Sequence, residues 1–137
     1  MQGDCNLSVR ILLVGALMMG VISPIDAHHS MAMFDLEKII TIQGTVTDVA
    51  WGNPHTIFLC DANEVGVDNS PVRSWTLEGP SPSVLVSKGM KPDTIKVGDK
   101  ISLTGNPRKD GKPVLLVLGL TDATGKRYAI KDTLGNY

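Results

Sequence analysis

Cysteine, aromatic residues, surplus charge and long apolar runs are all scarce in this chain, and each scarcity removes a class of answers. Two cysteines occur in 137 residues, Cys5 and Cys60. Cys5 falls in a leader-like segment, so the rest of the chain holds Cys60 alone. It can form no intrachain disulfide and has no Cys-x-x-Cys pair. Cys60 ends the apolar run Ile57-Phe58-Leu59-Cys60 and reads as a small buried hydrophobe rather than a reactive thiol. Two Trp, two Tyr and two Phe are the whole aromatic complement, barely enough for a core. A hydrolase-type serine elbow and a phosphate-cradling glycine loop are both missing. Asp48, Asp61, Glu78 and Asp99 include no pair spaced as a general acid and base. The sequence thus points away from an enzyme.

The longest uncharged apolar run, Ile11 to Ile22, is followed by Ser23 and Pro24 and falls short of the ~20 residues a membrane span requires. What is present instead is the order of a secretory signal: Arg10, the apolar run, then Ser23-Pro24-Ile25-Asp26-Ala27 with a small residue for the peptidase. The expected division is therefore a signal peptide over residues 1–27, an N-terminal segment over 28–38 and one domain over 39–137. The expected location is periplasmic or secreted. A retained N-terminal anchor is the rival reading.

Cleavage after Ala27 removes Arg10, Asp4 and Asp26, which leaves 12 of the 13 basic and 12 of the 14 acidic residues. A net charge of zero gives no footprint for nucleic acid or an anionic membrane. The expected partner is accordingly a protein or a small ligand.

From Ile39 onward the pattern is that of strands. Ile40, Ile42 and Val46 fall on one alternating face, and Gly44 interrupts them as a bulge or bend would. Trp51-Gly52-Asn53-Pro54 reads as a turn, His55 to Asp61 as a second strand, Asn63 to Pro71 as a loop and Val72 to Leu77 as a third strand. A short helix follows, with Ser81 as its cap, Pro82 at its first position and Gly89 at its close. Val97-Gly98-Asp99 turns into a strand over Lys100 to Gly105, Arg108 to Lys112 forms a solvated hairpin tip, and Val114 to Leu120 and Arg127 to Ile130 complete the set. This order, with the helix between strands three and four, is that of a small oligonucleotide/oligosaccharide-binding (OB-like) barrel of five to six strands. A small β-sandwich is the alternative.

Ala27-His28-His29-Ser30 with Phe34-Asp35, then Gly44-Thr45-Val46, Trp51-Gly52-Asn53-Pro54-His55, Trp75-Thr76-Leu77-Glu78-Gly79 and Val97-Gly98-Asp99 resemble a family of small exported bacterial proteins catalogued as a domain of unknown function. The resemblance implies an exported location and a barrel-like β domain. It brings no activity.

Two sets of residues carry the functional expectations. After processing, the free amine and imidazole of His28, with His29, His55 and the thioethers of Met31 and Met33, offer the ligand types of a copper site. Met31 and Met33 also alternate like a strand face, which ordinary packing would explain. Trp51 and Trp75, near His55, form the second set, as a face on which a ligand or partner could stack. Core packing is the plainer role for both rings.

Overall fold

The computed structural model describes residues 31–131. Six strands and a six-residue helix follow one another as β1 (Ile40–Ala50), β2 (Ile57–Glu64), β3 (Arg73–Glu78), α1 (Pro82–Ser87), β4 (Lys100–Pro107), β5 (Val114–Thr121) and β6 (Arg127–Ala129). β1 is long enough to pair with β2 on one side and β4 on the other. β2 pairs with β3, and β4 with β5, all antiparallel. A parallel contact between Thr76–Glu78 and Val114–Leu116 then joins β3 to β5 and closes a five-stranded barrel. β6 extends the sheet beyond β5. Closure decides between the two expected architectures, because a sandwich has two separate sheets and this sheet returns on itself.

The inward set follows the period-2 alternation of the sequence. Ile40, Ile42 and Val46 of β1 are buried, as are Phe58, Cys60 and Ala62 of β2, Trp75 and Leu77 of β3, Ile101 and Leu103 of β4 and Leu115 and Val117 of β5. Each fully buried Leu, Ile or Phe contributes about 1.5–3 kcal/mol relative to exposure. Cys60 is wholly buried, and burial with the neighbouring Asp61 carboxylate pushes its thiol up to about 11. It packs as a hydrophobe.

Helix α1 has Pro82 at its start and Ser81 as N-cap residue, but the Ser81 hydroxyl bonds the Ser83 hydroxyl at 2.9 Å rather than a backbone N–H. The cap is therefore made by backbone alone. Gly89, at φ +87°, closes the helix: its N–H donates to Val86 O and that of Met90 to Leu85 O. This is the paired closure that a left-handed glycine permits, with Leu85 and Met90 both buried beneath it.

Gly44 differs from its expected role. Pairing runs straight through it, to Ala62 on β2 and Ile101 on β4, and the register shift of β1 lies instead between Val46 and Asp48. A Cβ on Gly44 would overlap the Asp61 carbonyl oxygen and the Ala62 backbone. The residue marks a close approach of two strands, the other standard reason for glycine inside a strand. Gly105 plays the same part in β4, where a Cβ would meet the Leu116 carbonyl. The second strand also starts two residues later than expected, because Thr56 gives its N–H to Pro80 O and accepts from Gly79 N–H outside the ladder.

The obstacle at Gly44 is backbone on the neighbouring strand, so Gly44→Ala should cost at least about 2 kcal/mol through overpacking. Urea unfolding should show it as a lower midpoint. Gly52→Ala, where a Cβ meets nothing within 4 Å, should stay within about 0.5 kcal/mol of the parent.

Candidate functional site

Where β1 and β3 begin and β2 and β4 end, the barrel opens into a cavity of about 300 Å³. Its floor and walls come from the ends of the strands, with Ile40, Glu64, Arg73, Trp75 and Pro107 among the lining residues. The β4–β5 turn adds Arg108, Lys109, Gly111 and Lys112, and the segment before β1 adds Asp35 and Lys38. Five cations and two carboxylates therefore face one opening.

Arg73 is held in place from two sides. Its Nη2 donates to Gly111 O at 3.1 Å, and its guanidinium carbon lies 5.7 Å from the Trp75 ring centroid, a cation–π arrangement. The Trp75 indole N–H in turn donates to Ala62 O at 3.2 Å, which fixes the ring. Arg108 forks onto the Asp110 carboxylate through Nε at 3.0 Å and Nη2 at 2.7 Å, and that bidentate bond holds the Asp110 carboxyl below its ordinary range. Lys112 lies 3.9 Å from the same carboxylate. Lys38, Arg73 and Lys109 have no ion-pair partner among the described residues. Three cations thus converge on the mouth without a counter-charge in contact.

Residues 31–39 form a strap across the outer wall of this mouth. Phe34 is buried and bridges Arg108, Asp35 N–H donates to Pro107 O, and Lys109 donates its backbone N–H to Met33 O and its ammonium to Ala32 O. Asn106, almost fully buried at the end of β4, donates through its amide nitrogen to Lys38 O at 2.8 Å and Leu36 O at 3.4 Å. That side chain places Lys38 at the opening. Among the described residues, larger depressions include one of about 390 Å³ on the outer face of β1, β4, β5 and β6 and one of about 460 Å³ beside Met31 and Phe34. Each is lined by a single cation, Arg127 or Lys109, against five at the mouth.

The residues singled out from sequence are distributed over both ends of the molecule. Met31, half-buried, and Met33, exposed, lie on the strap, and the backbone at Met31 and Ala32 is helical rather than strand-like. His55 is exposed in the β1–β2 connection, at the far end of β1, separated from the strap by about 30 Å of strand at ~3.3 Å per residue. Ligand bonds near 2 Å cannot join His55 to Met31 or Met33. His28 and His29 lie outside the described residues, as do residues 1–27, where a signal peptide is expected. Among the described residues no three His, Cys, Asp or Glu side chains come together as a metal site. Trp51 is partly buried against the core at the His55 end, whereas Trp75, 5 % exposed, belongs to the mouth. The two rings do not form one face. The turn over Arg108 to Lys112, expected as a solvated hairpin tip, is exposed from Lys109 to Lys112 and also forms a wall of the cavity.

The sequence model of a family of unknown function, DUF6152, matches residues 17–116. The chain belongs to that family. All the stretches that carried the resemblance from Ala27 to Asp99 fall inside the match, and so do Arg73, Trp75, Asn106 and the cations of the β4–β5 turn. No curated protein and no solved structure matches the chain.

Asn106→Ala removes both strap bonds while leaving the barrel strands intact. It should lower stability by about 1–2 kcal/mol and speed hydrogen exchange at the amides of Phe34, Asp35 and Lys109. Amides in β2 and β3 should exchange as in the parent after correction for that loss.

Proposed function

We propose that the protein is an exported, non-enzymatic binding module that holds a small anionic ligand in the barrel mouth. The observation that carries the reading is Arg73, stacked on Trp75 and tied to Gly111 O, beside Lys38 and Lys109 that have no carboxylate in contact. A guanidinium has five N–H donors in a rigid fork, and Gly111 takes one of them. The others suit a carboxylate or phosphate, which prefers such planar, charge-assisted contacts. Partial enclosure by the strap and the β4–β5 turn lowers the local dielectric and strengthens each contact.

The outer faces of β2 and β3 support a small ligand over an oligonucleotide. This surface is the usual nucleic-acid platform of such barrels, yet its outward positions are Ile57, Leu59, Asp61, Asn63, Ser74, Thr76 and Glu78. Two carboxylates and no lysine or arginine repel a phosphate backbone.

Calorimetric titration of the processed protein with inorganic phosphate and with citrate tests the proposal. One saturable site is expected, with affinity that falls as sodium chloride is raised. Arg73→Gln should weaken it about tenfold or more, the loss of a charge-assisted bond, with an unfolding midpoint close to the parent's. Equal binding by the variant, or no saturable binding of either anion, would contradict the reading.

A further inference from the structure

Nine large hydrophobic side chains are exposed among the described residues, and six of them, Met33, Leu36, Ile39, Val65, Val67 and Val72, lie on only two short segments. Those segments are the strap and the β2–β3 loop, and both border the mouth. Ile39 follows Lys38 directly, Val65 follows Glu64, and Val72 precedes Arg73; Lys38, Glu64 and Arg73 all line the cavity. None of the six aliphatic residues lines it. A polar, cationic opening is therefore bordered by a discontinuous apolar rim, with Val72 at 69 % and Leu36 at 55 % exposure.

An isolated exposed valine needs no explanation, but a concentration of them at one end of a small barrel does. A purely polar anion such as phosphate would satisfy Arg73 and Lys38 and leave the rim in water. An anion that also carries an aliphatic part would satisfy both. We propose that the ligand class is an anionic amphiphile, with its phosphate or carboxylate head in the mouth and its hydrocarbon portion against Ile39, Val65 and Val72; this rests on the reading of the mouth as an anion site. Glu37 and Asp68 also stand on the two bordering segments. Discrimination for the negative head thus belongs to the mouth cations and not to the net charge of the rim.

The test is a calorimetric series of monomeric methyl, butyl, hexyl and octyl phosphate, each below its micelle threshold, with inorganic phosphate and neutral octyl glucoside beside them. Full burial of a methylene corresponds to about a fourfold gain in affinity, and a half-exposed rim should give about twofold per methylene. Affinity should therefore rise by more than tenfold from butyl to octyl phosphate. The double variant Val65→Ser with Val72→Ser, which shortens the rim without adding charge beside Arg73, should flatten that rise without altering binding of inorganic phosphate, which also shows that the variant is folded. Cosedimentation with vesicles of phosphatidylglycerol and phosphatidylcholine identifies the source of the head: capture by these vesicles and not by pure phosphatidylcholine points to a bilayer lipid, and octyl phosphate binding without capture points to a free amphiphile. Chain-length-independent affinity beside intact phosphate binding would overturn the amphiphile and leave the anion site standing. Equal binding of octyl glucoside would overturn it as well. Failure of every anion in the series, inorganic phosphate included, would remove the anion site itself.

Discussion

The parallel contact of Thr76–Glu78 with Val114–Leu116 is the constraint on which the rest of this structure hangs. Until β3 meets β5, the sheet is an open antiparallel ribbon with two exposed edges, and Trp75, Leu77 and Leu115 lack opposing walls. Closing so few strands demands strong coiling, and two glycines permit it. At Gly44 and Gly105 the neighbouring backbone lies where a side chain would begin. Closure also creates the mouth, because it brings the start of β3 beside the β4–β5 turn and lets Arg73 reach the Gly111 carbonyl.

This dependence explains what the amino-acid sequence does and does not disclose. Alternation is local, so Ile40, Ile42 and Val46 announced their face, and Pro82 and Gly89 the ends of the helix, without reference to anything distant. Gly44 was legible as an exception but not as a close approach, since its obstacle is Asp61 on another strand. The β4–β5 turn shows the same limit more sharply. Read in isolation, Arg108-Lys109-Asp110-Gly111-Lys112 is a charged hairpin tip, and only a residue 38 positions away, Arg73, turns it into the wall of a cavity. The neutral total charge concealed the mouth for a similar reason. Cations gather there while Asp61 and Glu78 face outward on β2 and β3, and a sum over the chain erases that separation.

The N-terminal segment takes on a meaning that its composition did not suggest. Its histidines and methionines drew attention as ligand types, yet within the described residues its structural work is done by Phe34, Asp35 and the carbonyls of Leu36 and Lys38. These fasten it to Asn106, Pro107 and Arg108. A strap so held contributes a cation to the opening and aliphatic side chains to its border. Trp75 joins the two levels of organisation: its ring completes the core, and its upper surface carries the guanidinium that defines the site.

The central claim is that anion recognition resides at this end of the barrel, and nuclear magnetic resonance of the isotopically labelled protein during titration with inorganic phosphate tests it most directly. Saturable shifts should be confined to the Arg73 side-chain N–H groups, the Trp75 indole N–H and the backbone amides of Lys38, Glu64, Gly111 and Lys112. Shifts centred instead on Thr104, Thr121 and Arg127 in the outer groove, or on His55 at the opposite end, would contradict the account.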